Sequence, residues 1–251
     1  MIVMKWEVIM VIVEVSCGCY EDCYSSYLGK AQRVELNSAL YMGGLTPSLS
    51  SLLLTKRNTD LSVICMIRTR GGSFCHTELE FEQMYEDAKI MLENGADGLV
   101  FGFLNEDCTI DVEHTKKMVE LIKSYNKEAV LHRAFDSCKD MDEAIKTLIK
   151  LKVDRVLTGG FVYNAIEGLD KLEYLQGTYG DKIEIVAAGG ITGMNAKKIV
   201  DSTGVTQVHS SCKKWVKLPT TANPNVDFSY SDKGYDIVDV ELVKSLVMSV
   251  K

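Results

Sequence analysis

The stretch Glu78–Phe103, ELEFEQMYEDAKIMLENGADGLVFGF, decides the fold. Its first part places Phe81, Met84, Tyr85, Ala88, Met91 and Leu92 on one stripe at helical period. Asn94-Gly95-Ala96-Asp97 then turns the chain, because Gly95 can take the left-handed conformation that closes a helix. Gly98–Phe103 follows as a short apolar run without polar alternation, which reads as a strand covered on both faces. Helix, turn and doubly buried strand together make the repeating unit of a parallel sheet.

The same unit recurs in both directions. Strand candidates are Val11–Val15, Arg33–Asn37, Ser62–Arg68, Gly98–Phe103, Ala129–Ala134, Arg155–Thr158, Glu184–Ala188 and Thr206–Ser210. Helical patterns lie between them, among them Val112–Tyr125, Met141–Leu151 and Asn195–Ser202. Eight strands in 251 residues is the count and the length of a single-domain (β/α)₈ TIM barrel. An open doubly wound sheet is the alternative. It calls for a Gly-x-Gly-x-x-Gly turn after the first strand, and Ser16–Asp22 has none. Residues 10–251 are therefore read as the barrel and residues 1–9 as an N-terminal extension. The link Cys212–Tyr235 is longer than ordinary connections, so it reads as a lid, an oligomer contact or surface decoration.

Composition narrows the function. With 28 Lys and Arg against 35 Asp and Glu the net charge is −7, which argues against nucleic-acid binding. The apolar start, Met1–Val15, is broken by Lys5, Glu7 and Glu14, and no run approaches the roughly 20 apolar residues of a membrane span. Eight irregularly spaced Cys read as reduced thiols of a cytoplasmic protein.

In such a barrel, chemistry sits at the C-terminal strand ends. There, Glu14, Glu35, Arg68, His132 and His209 interrupt apolar strands. Two readings stand: a satisfied salt-bridge layer, or a pocket where carboxylates and imidazoles reach one ligand. In the second, Glu and His act as general base and acid, or hold a divalent cation such as zinc or manganese. No His-x-x-x-His or Cys-x-x-Cys pair supports the cation. Gly189, Gly190, Ser210 and Ser211, after the seventh and eighth strands, form a candidate anion cradle, or else merely tight turns. Cys17, Cys19 and Cys23 cluster after the first strand, and soft thiolates favour Cu(I) or zinc; local burial of free thiols is the competing reading.

Several collinear motifs carry a family resemblance. Val13-Glu14-Val15, Arg33-Val34-Glu35-Leu36, Gly43–Ser48, Met66–Gly72, Gly95–Gly102, His132–Asp136, Arg155–Thr158, Gly189–Thr192 and His209-Ser210-Ser211 resemble the CutC copper-homeostasis family, in order, from about Met10 to Ser211. The resemblance implies a (β/α)₈ barrel, cytoplasmic location, homodimers or homotetramers, and an added segment at residues 1–9. It also implies Cu(I) binding through one Cys after the first strand's Glu-Val and another after the second strand's Glu-Leu. Here those positions are Ser16 and Asn37, and Thr69 replaces a usual proline. Cys17 and Cys19 could substitute only if the loop turned them inward. The expected function is cytoplasmic copper homeostasis, with copper or a small molecule as ligand. The alternative is a barrel enzyme acting on a small anionic metabolite, phosphorylated or not. There Glu14 or Glu35 is the base, His132 or His209 the acid, and Arg68 with the Gly189-Gly190 turn the anion clamp. A purely structural or interaction protein comes third.

Overall fold

A computed structural model describes residues 10–218 and 220–251; the extension expected at 1–9 lies outside the described residues. Eight parallel strands close into a barrel in chain order: β1 (Ile12–Cys17), β2 (Arg33–Leu36), β3 (Ser62–Met66), β4 (Gly98–Phe101), β5 (Glu128–Leu131), β6 (Arg155–Thr158), β7 (Glu184–Ala188) and β8 (Gln207–Ser210). The helices are α1 (Tyr20–Leu28), α2 (Leu49–Asn58), α3 (Glu78–Glu93), α4 (Val112–Ser124), α5 (Met141–Lys150), α6 (Leu169–Tyr179), α7 (Ala196–Thr203) and α8 (Val240–Ser249). Four expected strands, the second to the fifth, run one to three residues past the observed C-terminal ends. The fifth stops at Leu131 because the His132 side chain accepts from the Ala134 N–H and caps a 3₁₀ turn, Arg133–Ser137.

Five of the eight helices start where a short polar side chain accepts from their free N–H groups; Ser48 does so at α2. Thr77 and Glu80 form a reciprocal capping box at α3, and Asp111, Asp140 and Asp239 cap α4, α5 and α8. The stripe read on α3 is its buried face: Phe81, Met84, Ala88, Met91 and Leu92 lie in the core, with Tyr85 packed against it.

Strand alternation sorts the core into two shells. Val13, Val15, Val34, Val63, Cys65, Leu99, Leu131 and Val208 point outward into the helix layer. Ile64, Met66, Val100, Val130, Leu157, Val186 and Ala188 form a separate inner cluster. That inner cluster comes from β3 to β7 only. The registers of β1 with β2 and β8 put Glu14 beside Arg33 and His209, and Ser16 beside Glu35. Half of the barrel interior is therefore apolar and half is ionic.

The long link after β8 has structure of its own. β9 (Lys213–Val216) pairs antiparallel with β12 (Tyr235–Val238), and a small hairpin of β10 (Ala222–Asn223) and β11 (Val226–Asp227) lies between them. Tyr230 stacks on Tyr41 of the β2–α2 loop at 4.7 Å, which fastens this segment beside the barrel mouth.

Arg33 and Glu14 are both almost fully buried, so removing one leaves an uncompensated buried charge. Arg33→Met should cost about 3–5 kcal/mol in urea denaturation. Arg33→Met/Glu14→Leu should recover most of that loss, and a single variant as costly as the double would remove the pair from this role.

Candidate functional site

A polar chain climbs the ionic half of the barrel. At its base Arg155 Nη2 lies 2.6 Å from Glu128 Oε2 without hydrogen-bond alignment. Gln207 Nε2 donates to Glu184 Oε2 at 2.5 Å, and Arg33 Nη2 donates to Gln207 Oε1 at 2.6 Å. Arg33 Nε donates to Glu14 Oε2. Glu14 Oε1 then meets His209 Nδ1 at 2.7 Å, just below the C-terminal mouth. Burial alone would raise the Glu14 carboxyl, but Arg33, then the hydrogen bond and charge of His209, and then Arg155 hold it well below the carboxylate range. Burial alone would lower His209, but the charge of Glu35 and the hydrogen bond and charge of Glu14 outweigh it and raise its pKa. Glu14 thus keeps His209 inclined to carry a proton.

Glu35 stands one layer higher. Asn37 Nδ2 donates to its Oε2 at 2.9 Å and Ser16 Oγ at 3.3 Å. Burial and the charge of Glu14 push Glu35 upward, against His209, Asn37 and Ser16, with a net rise above its ordinary value. A carboxylate raised above its ordinary value and an imidazole inclined to be protonated, lining one pocket, have the properties a base and an acid need.

Arg68 and His132 face the same mouth from β3 and β5. The Arg68 backbone is clamped by Thr46, whose Oγ1 accepts the Arg68 N–H at 3.0 Å. Its guanidinium lies 4.8 Å from the Phe74 ring centre and reaches the carbonyls of Gly43 and Ser73 only at 3.4 and 3.5 Å. Nε has no partner, and among the described residues Arg68 forms no ion pair. The His132 ring sits 4.9 Å from Phe74, and its Nδ1 accepts the Ala134 N–H at 3.1 Å. The proton of the neutral ring is therefore on Nε2, which is buried without a partner. Burial and then Arg68 lower its pKa to about 3. Gly102 makes room for the ring: a Cβ there would lie 2.3 Å from His132 Cε1.

The pocket above these residues measures about 820 Å³, the size of small-molecule sites. Glu35, Arg68, His132, His209, Gly189, Gly190, Ser210 and Ser211 line it, and Glu14 lies beneath it. The glycine pair has positive φ, 109° and 65°. Both positions require glycine: a Cβ on Gly189 would meet Tyr163 O at 2.4 Å and Arg133 Nη1 at 2.9 Å, and one on Gly190 would meet Asn164 Oδ1 at 2.8 Å. Ser210 Oγ donates to Ile191 O at 2.6 Å. Phe74, Asp136, Trp215 and Asp236 also line the mouth. Of these only Asp136 stood out in the sequence, as the end of the His132–Asp136 motif. It ties the β6 loop through Arg133, Thr158 and the Gly159 and Phe161 N–H groups.

The thiols lie elsewhere. With Ser16 facing inward, alternation turns Cys17 outward, where its Sγ lies 3.3 Å from Ser26 Oγ of α1 and burial raises its pKa. Cys19 is exposed at the start of α1. At the mouth Ser16 and Asn37, where the sequence resemblance implied thiols, carry a hydroxyl and an amide, both bonded to Glu35, and hard donors of this kind do not suit Cu(I). Among the described residues no group of three His, Cys, Asp or Glu side chains is arranged to hold a metal ion.

The His132 environment predicts a pH dependence. Folded His132 stays neutral down to about 3, while the unfolded imidazole takes up a proton near 6.5. The unfolded state binds the extra proton across that interval, so stability falls as pH drops through it. His132→Asn should flatten the slope of unfolding free energy against pH there by up to ~1.4 kcal/mol per pH unit. An unchanged slope would place the proton on the folded ring.

Comparison with known proteins places this geometry in a lineage. The family model described as the CutC family matches residues 11–214. A CutC family protein of Treponema denticola is 43% identical over 85% of this chain and 87% of its own. The human copper homeostasis protein cutC homolog is 37% identical over 80% of this chain and 73% of its own. The crystal structure of the putative copper homeostasis protein CutC from Streptococcus agalactiae superposes with a TM-score of 0.76 at 31% identity, covering 80% of this chain and 99% of that one. No helix among the described residues is long and apolar enough to cross a membrane. From the ionic strand ends to the overall barrel, this chain belongs to the CutC family.

Proposed function

We propose that the barrel mouth is an enzyme site for general acid–base chemistry on a small organic anion. The observation that carries this reading is a buried guanidinium, Arg68, that has no carboxylate partner among the described residues and faces a pocket holding the Glu35–His209 pair. A buried cation without a partner is costly unless a ligand supplies the anion. In this reading Glu35 removes a proton from the bound substrate and His209, kept protonated by Glu14, returns one to the developing negative charge. Arg68 holds the substrate's anionic group, and the neutral His132 offers a hydrogen bond without a charge. The enzyme works in the cytoplasm, where its eight free cysteines stay reduced, as a homodimer or homotetramer.

Cu(I) carriage is the second reading, supported by the names of the relatives. The donor set at Ser16 and Asn37 weighs against it for this chain. Any part in copper homeostasis is then indirect, through the metabolite the site converts.

Metabolite profiling tests the enzyme reading. A small-molecule cell extract incubated with the parent protein should lose at least one anionic metabolite, and Glu35→Gln should slow that loss by about 10²–10⁴-fold. An extract left unchanged by the parent, or changed equally by Glu35→Gln, sinks the assignment. The copper reading has its own test, an anaerobic Cu(I) titration against a competing chelator. The parent and Cys17→Ser/Cys19→Ser should both leave the metal with the competitor, whereas Ser16→Cys/Asn37→Cys should retain it. Stoichiometric Cu(I) on the parent would restore the carrier.

A further inference from the structure

Two buried donors at the mouth lack acceptors. Arg68 is 5% exposed with Nε unpartnered, and His132 is 6% exposed with Nε2 unpartnered. Both flank the same Phe74 ring, at 4.8 and 4.9 Å from its centre. Such groups are costly to bury unless something completes their hydrogen bonds. The missing piece is an acceptor with more than one oxygen.

Charge identifies which acceptor. Of the other cations at the mouth, Arg133 Nε lies 2.7 Å from Asp136, Lys213 Nζ 3.9 Å from Asp236, and His209 2.7 Å from Glu14. Arg68 alone faces no carboxylate among the described residues, and the His132 ring is neutral. The donor pair therefore balances one negative charge. A phosphate monoester carries about −1.5 to −2 near pH 7, and its excess would be buried near Glu35.

We propose that Arg68 and the Nε2–H of His132 together bind a carboxylate, so that the substrate is a monocarboxylic acid rather than a phosphate ester. Its apolar body lies against Met66, Leu157 and Ala188, the inner-cluster residues that reach the mouth. The planar fork of Arg68 matches a carboxylate edge, and Phe74 holds fork and imidazole in place. This assignment rests on the acid–base reading of the site and names the group by which its substrate is held.

Calorimetric titration with benzoate and with phenyl phosphate separates the two headgroups on one ring. Benzoate should bind a single site at least about tenfold more tightly than phenyl phosphate. Arg68→Met should weaken benzoate by about tenfold or more, with Arg68→Lys recovering part of it. Benzoate should also shift the imidazole Nε2–H proton resonance of His132 in the parent protein, a readout that stands if Arg68→Met does not fold. Phenyl phosphate binding as tightly as benzoate, benzoate binding that survives Arg68→Met, or neither probe binding at roughly 10 mM would overturn the assignment. Binding and turnover fail separately. Benzoate held by Arg68 in a protein that converts no metabolite removes the acid–base reading alone; conversion of a phosphate ester with phosphate-selective binding removes only the carboxylate.

Discussion

A carboxylate buried inside a barrel has to be held, and Glu14 is held from both sides. Arg33 lies on the neighbouring strand in one direction and His209 on the neighbouring strand in the other, because the registers of β1 with β2 and β8 bring all three into one layer. Much of the interior follows from this contact. Arg33 is oriented through Gln207 to Glu184 at the base, and His209 is presented upward to the mouth with its proton favoured. Below the mouth the arrangement is a satisfied ion layer. At the mouth it meets an open pocket.

The division of the interior explains how both roles coexist. Strands β3 to β7 fill their half with Ile64, Met66, Val100, Val130, Leu157, Val186 and Ala188, a low-dielectric wall. Against such a wall each charge on β8, β1 and β2 is worth more and must be matched more closely. Among the described residues Arg33, Arg155 and His209 each have a carboxylate, whereas Arg68, at the upper edge of the apolar half beside a pocket, has none. The two interpretations of the ionic residues, salt-bridge layer and ligand site, are thus stacked along one axis. Glu14 and Arg33 belong to the layer; Glu35, Arg68, His132 and His209 belong to the site.

The same alternation disposes of the thiols. A strand residue and its successor face opposite sides, so an inward Ser16 makes Cys17 an outward residue of the helix layer. Asn37 and Ser16 instead support Glu35 by hydrogen bonds, which suits the general base proposed there better than a soft-metal pair. Copper homeostasis among the relatives and acid–base chemistry at this mouth are compatible when the link between them is a metabolite.

The eight strands, the barrel, the family and the five ionic strand-end residues were legible in the chain, because doubly buried strands and a 3.6-residue helical stripe are written in local apolar spacing. The parity of Cys17 could be read there too, once Ser16 was set inward. What remained closed was everything decided by side chains distant in sequence. That Arg68 has no carboxylate among the described residues depends on where Gly43, Ser73 and Phe74 come to rest, and that the turn after β7 admits only glycine depends on Tyr163 and Asn164. The tautomer of His132 follows from a 3₁₀ turn that ended a strand sooner than its apolar residues suggested. Local periodicity determines which way each residue faces; only tertiary packing determines which charges find partners and which wait for a ligand.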